Sequence, residues 1–234
     1  MNGTHLSARL QTVADFVPTG ARLADIGSDH AYLPVHLAKA GQLTHAIAGE
    51  VVKGPFENAE QEISLEGLTA VITARLADGL AAIKPEDQID TVTIAGMGGT
   101  LIATILEQGK VHLNHHERLI LQPNVGEDNV RRWLQANQYQ IIAERILAED
   151  GHIYEIIVAD PVAQTVVYTD NELKFGPFLL TEKSPVLKAK WQRESQRLGQ
   201  VIKTMQQAKH APQTKIADFQ AQQQLIQEVI LDES

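Results

Sequence analysis

The chain has 234 residues, no cysteine, and 20 Lys and Arg against 29 Asp and Glu, a formal net charge of −9. This length suits one large domain or one with a small appendage, and the missing cysteine excludes a disulfide framework, a thiolate metal site and a cysteine nucleophile, which points to a reducing cytoplasm. The opening MNGTHLSARLQTV has neither the basic start nor the apolar stretch of a signal peptide, and no later run approaches the ~18 apolar residues of a membrane helix, so a soluble protein is expected.

Leu6, Leu10, Val13, Ala14 and Val17 recur at helical spacing behind a capping Ser7, and Pro18-Thr19-Gly20 ends that element. Strand-like runs near 22–26, 46–50, 70–74, 91–95 and 119–122 then alternate with helical segments, with Pro34 and Pro55 in first-turn positions. Such alternation predicts an α/β fold with a parallel sheet covered on both faces. Beyond Trp133, YQIIAERILAEDGHIYEIIVAD is two β-rich runs around Asp150-Gly151, a hairpin signal. A mostly parallel sheet ending in an antiparallel hairpin is the layout of Rossmann-like class I methyltransferases.

From about Pro161 the sequence turns Gln-rich, charged and helix-forming. Leu187, Trp191, Leu198, Ile202 and Met205 form one stripe, and Ile216, Phe219, Ile226 and Ile230 a second beyond His210-Ala211-Pro212. An antiparallel helical hairpin or coiled coil is expected. The predicted division is therefore residues 1–162 and residues 163–234. Charge is unevenly distributed as well, with a basic stretch inside the helical region. Between Lys183 and Lys215 stand eight basic residues and Glu194 alone, a net +7, leaving −16 for the remainder. An acidic body and a basic helical region suit different partners, the latter nucleic-acid phosphates, a solvated coiled-coil face or a dimerisation element.

LADIGSDHAYLP, residues 23–34, enters a nucleotide-binding type of turn but keeps only Gly27 of the three glycines that let backbone approach a pyrophosphate. Asp29 would oppose a pyrophosphate by about 4 kcal/mol for unit charges ~4 Å apart at an effective dielectric of 20. S-adenosyl-L-methionine reverses that sign, because it carries a sulfonium and an ammonium and no phosphate. Asp25, Gly27, Ser28 and Asp29 then suit its methionine portion, with His30 either beside it or an ordinary loop histidine. Glu50, with Val51, ends the second strand where a carboxylate can accept both ribose hydroxyls. Asp78-Gly79 follows the third, where Asp78 can accept from an adenine amino group. Each is singly as consistent with a cap, a solvated loop or a turn; in register they make one surface. IAGMGG puts Gly96 and Met97 at the end of the fourth strand, where donor and acceptor meet. LILQPN ends the fifth with Gln122 and Asn124, able to read a base edge or simply to build a Pro turn. His112, His115, His116 and Glu117 have helical metal-ligand spacing but match no known motif, so no metal is expected.

LSARL, LADIGSDHAYLP, GEVVKGPFENA, RLADGL, IAGMGG, LILQPN, DGHIYEI and FGPFLL occur in order from Leu6 to Leu180 and resemble the bacterial tRNA (adenine-22-N1)-methyltransferase family, TrmK. The resemblance implies a Rossmann-like catalytic domain, S-adenosyl-L-methionine as donor, and tRNA as acceptor at N1 of an adenine in the D arm. It puts Asp25, Gly27, Ser28, Asp29, Glu50, Asp78 and Gly96 in cofactor motifs, Asp29 nearest the chemistry, and Gln122 and Asn124 on the substrate side. Rival readings are a methyltransferase of a metabolite or protein, a non-catalytic cofactor-binding module and, weakest, an NAD dehydrogenase.

Overall fold

The computed structural model describes residues 5–207 and 212–231; the expected helix break at His210-Ala211 and the basic Lys209 lie outside them. Seven strands form one sheet: β1 Ala21–Ile26, β2 Leu43–Glu50, β3 Ile72–Leu76, β4 Thr91–Met97, β5 Arg118–Pro123, β6 Tyr139–Glu149 and β7 His152–Pro161. Their order is β3-β2-β1-β4-β5-β7-β6. β1 to β5 pair in parallel, whereas β7 runs antiparallel to both β5 and β6. The predicted third strand lies two residues later than expected. Leu68 O accepts from Val71 N and Ile72 N, so a turn occupies the apolar residues that looked like its start.

Side-chain alternation along the strands feeds two cores. Ala24, Ile26, Leu119 and Leu121 pack on one face with Ile102 and Leu106 of α4 (Gly99–Gly109) and Val130 and Leu134 of α5 (Glu127–Ala136). Leu23 and Ile120 face the other way, onto Val13 of α1 (Ala8–Ala14), Leu33 and Leu37 of α2 (Tyr32–Lys39) and Ile63 of α3 (Lys53–Leu65). Ser7 caps α1 by accepting from Leu10 N, as its position predicts. Asp150 (φ 49°) and Gly151 (φ 80°) turn the β6–β7 hairpin with the paired positive φ that such two-residue loops need.

The remaining helices are α6 Asp170–Phe175, α7 Pro177–Glu182, α8 Pro185–Gln206 and α9 Gln213–Ile226, followed by a π-helical segment Gln227–Leu231. Leu187 and Leu198 of α8 pack with Ile226 and Ile230 in a third core beneath Phe175 and Leu179. The expected helical hairpin is thus present.

What fastens it to the sheet is buried charge. Arg131 of α5, fully buried, donates to Glu144 of β6 (2.7 Å) and Glu155 of β7 (2.5 Å). Lys190 of α8 donates to Glu155 (2.6 Å) and to Glu127 (2.5 Å). The second Glu144 oxygen accepts Phe178 N–H (2.9 Å) at the start of α7. A Cβ on Gly176 (φ +92°) would lie 2.6 Å from that oxygen and 2.8 Å from Arg131 Nη2. Only glycine fits, which gives the FGPFLL stretch a packing role.

Candidate active site

Strand order reverses between the adjacent β1 and β4, and open α/β sheets bind ligands beyond the carboxyl ends at such a point. A cavity of about 300 Å³ opens there, its lining including Arg9, Asp25, Gly27, Asp29, Tyr32 and Gly96. Asp25, near the end of β1, is buried. Its Oδ2 accepts from Ser28 Oγ and its Oδ1 from Thr93 Oγ1, both at 2.6 Å. Burial raises its pKa and the two hydroxyl donors pull it back, so Asp25 braces the β1 loop as well as lining the cavity.

That loop is tied to β2. Gly27 N–H and Ser28 N–H donate to Gly49 O at 2.9 and 3.2 Å, and Asp29 N–H donates to Glu50 Oε1. Gly27 is suited to its left-handed backbone (φ +73°), and a Cβ there would also displace the tip of the flexible Met97 side chain. Asp29 occupies the left-handed region (φ 55°), which Asp tolerates better than most residues. Its side chain is 73% exposed, with His30 Nε2 3.7 Å away. Glu50 is buried. Burial raises its pKa against the Asp29 N–H bond, and the neighbouring charges of Asp25 and Asp29 raise it further.

Across the cavity the β4 and β5 loops interlock. Gln122 Oε1 accepts from Gly96 N–H (2.9 Å) and Arg9 Nη1 (2.5 Å), and its Nε2 donates to Pro123 O (3.0 Å) and Asn124 Oδ1 (3.1 Å). Fully buried and bonded at both ends, Gln122 is a brace and not the base-edge reader its position suggested. Asn124 is exposed; its Nδ2 donates to Gly96 O (2.8 Å) and its N–H to Met97 O (2.7 Å). It is bonded to Gly96, which lines the cavity, without lining that cavity itself.

Arg9 was not singled out by the sequence reading. Glu149 of β6 holds α1 over the sheet edge by accepting Ala8 N–H (2.6 Å) and Arg9 N–H (3.0 Å). The Arg9 guanidinium lies 5.5 Å from the Tyr154 ring centroid and supplies a cation to an otherwise acidic lining. The only sequence signal was its place within LSARL.

The predicted residues do not all converge. Asp78 and Gly79 lie just past the bond from Ala77 N to Glu50 O (2.8 Å), but they line a separate hollow of about 200 Å³ with Ile105. Val51 is exposed beside Glu50. His30 stacks on Tyr32 (ring centroids 5.0 Å apart), which is half-buried in the cavity wall. Glu117 is buried, accepting Asn114 N–H (2.8 Å) and His116 N–H (3.1 Å), while His115 stacks on Tyr139. Among the described residues no group of three or more His, Asp or Glu is placed to hold a metal ion, and no helix is long and apolar enough to cross a membrane.

The family model for TrmK, tRNA (adenine(22)-N(1))-methyltransferase, matches residues 23–228. The chain belongs to that family. It is 44% identical over 236 residues to the tRNA (adenine(22)-N(1))-methyltransferase of Bacillus subtilis, covering 98% of this chain and 99% of that one. Among solved structures, Sp1610 of Streptococcus pneumoniae in complex with S-adenosyl-L-methionine is 46% identical with a TM-score of 0.88, covering 97% of this chain and 100% of that one. TrmK of M. capricolum in complex with S-adenosyl-homocysteine is 28% identical with a TM-score of 0.84, covering 96% of this chain and 97% of that one.

The residues present fit such a cofactor. Asp29 is an exposed carboxylate which, among the described residues, pairs with no Lys or Arg and so suits a sulfonium or ammonium. Glu50 ends the neighbouring strand with one oxygen on the Asp29 N–H, in the place where a carboxylate meets ribose hydroxyls. Arg9 offers a counterpart to a carboxylate.

Proposed function

We propose that this chain methylates N1 of an adenine, position 22 in the D arm, of tRNA with S-adenosyl-L-methionine as donor. The observation that carries this reading is the acidic cavity at the β1–β4 switch point, in a chain of the TrmK family. Residues 1–162 act as the catalytic domain and residues 163–234 as a basic helical domain that meets tRNA.

When bound, the cofactor supplies a methyl group activated by its sulfonium. Glu50 holds the ribose hydroxyls, Asp78 the adenine amino group from its own hollow, and Arg9 the methionine carboxylate. Gly27 and Ser28 keep backbone close to the methionine portion, and Gly96 and Met97 leave room for the acceptor. Adenine N1 already bears a lone pair, so no proton need leave before attack and positioning dominates the acceleration. Positive charge develops on the purine as the methyl arrives. Asp29 stabilises it, an oxyanion hole with the sign inverted, and accepts a hydrogen bond from the N6 amino group. Asn124, held on Gly96 O, orients the base edge, with Gln122 fixing Asn124 from behind. N1 lies on the pairing edge, so the adenine leaves its partners before reacting, and Tyr32 flanks the space it enters.

Mapping by mass spectrometry after incubation with labelled donor and separate tRNA, protein and metabolite pools tests this. A single N1-methyladenosine at position 22 is expected. Label in protein or metabolites and none in tRNA would refute the reading.

A further inference from the structure

A second cavity, larger than the one beside Asp29, lies elsewhere in the fold. A cleft of about 620 Å³ lies between α8 and two loops, the one following β5 and the β6–β7 turn. Its size falls within the ~300–1,000 Å³ typical of ligand pockets. Asn124 and Gly126 wall one side, Gly151 and His152 another, and Arg193 and Arg197 the third. Asn124 joins this cleft to the cavity at β1, because its amide is bonded to Gly96 O.

Charge in the basic stretch is not evenly available. Lys190 is turned inward, neutralised by Glu127 and Glu155 at the floor of the cleft. Arg193 is exposed, its guanidinium 3.4 Å from Gly151 O across the cleft mouth. Arg197 is exposed one turn further along, paired with Glu194 at 2.7 Å. Surface pairs of that kind hold weakly and exchange readily for a phosphate. Trp191, also in the lining, carries a buried Nε1–H with no hydrogen-bond partner, a donor the fold leaves unused.

Resting on the reading that tRNA is the acceptor, we propose that this cleft receives the tRNA strand adjoining the target adenine. Arg193 and Arg197 bind backbone phosphates, and Asn124 stands at the inner end where the strand turns toward the methyl donor. The outer cations of the helical hairpin, Lys203 and Lys215, both exposed, lie outside this lining.

The test compares Arg193→Ala/Arg197→Ala with Lys203→Ala/Lys215→Ala, using full-length chain and unmodified tRNA transcript. The cleft pair is expected to raise KM for tRNA about 10-fold or more and to flatten the slope of log affinity against log salt by ~1.5–2, as for two lost phosphate contacts. Donor affinity by calorimetry should not move. The outer pair should change KM less than about 2-fold and the slope by less than ~1. An equal or greater effect of the outer pair, or no effect of the cleft pair, overturns the proposal. Failure of the tRNA reading itself looks different, since the unaltered chain would then neither bind nor methylate the transcript.

Discussion

Carboxylates meet opposite fates in two regions of the sheet, its β7-β6 end and the central β1–β4 switch point. In the joint with α8, Glu144 and Glu155 are buried and each bonded to Arg131, with Lys190 as a further partner of Glu155. At the β1–β4 switch point, Asp29 is largely exposed and Glu50 takes a backbone N–H in place of a cation. The same residue type is structural where its charge is matched within the fold, and available to a ligand where it is not. A net charge of −9 says nothing about which is which.

The joint should break hardest. Arg131→Met leaves the buried Glu144 without its cation and Glu155 with Lys190 alone, and is expected to cost about 3–5 kcal/mol, read as a lower urea midpoint. A loss below about 1 kcal/mol would mean that Lys190 alone suffices. The acid limb follows from Glu155. Burial pushes its pKa up, but Lys190 and Arg131 more than offset this and hold it below the usual carboxylate value. Its contribution is present above the ordinary carboxylate pKa and is lost as pH falls through the depressed one.

Asp29→Asn removes charge from the switch point while keeping a side chain that tolerates the left-handed backbone. Turnover on tRNA should fall ~10²-fold or more with donor affinity still measurable and stability little changed. Near-normal turnover would remove Asp29 from the chemistry. Glu50→Gln should weaken donor binding about 10-fold, the scale of one charge-assisted hydrogen bond. Because Glu50's pKa is raised, donor affinity should begin to fall above the ordinary carboxylate range as pH drops, and the Gln variant should be flat there. A solvated carboxylate gives the baseline: the Lys39–Glu66 pair is partly exposed, and Lys39→Ala should cost under ~1 kcal/mol by thermal denaturation.

The sheet, its antiparallel end and the helical hairpin were legible because they rest on periodicity and turn chemistry, as Asp150-Gly151 illustrates. The β1 loop was legible for a different reason, since Asp29 stands where a dinucleotide site needs a small neutral residue. What sequence could not reveal is pairing between distant segments. Arg9 reaches Gln122 across 113 positions, and Arg131 meets Glu155 across 24. Gln122 looked like a ligand reader because its position at a strand end is right; the bonds on both ends of its amide depend on how α1 lies over the sheet. Glu155 did leave a mark, as a lone charge within an apolar strand run, but its partners lie on α5 and α8. Asp78 was grouped with Asp25 by register and by the family motif, while the 3₁₀ turn at Gly79–Ala82 sets it in its own hollow.

The cation preference of the β1–β4 switch point is tested most directly by calorimetric titration of the unaltered chain with S-adenosyl-L-methionine and, separately, with NAD at equal concentration. Saturable uptake of the sulfonium compound and none of the dinucleotide is the expected result. Binding of NAD with no uptake of S-adenosyl-L-methionine would contradict it.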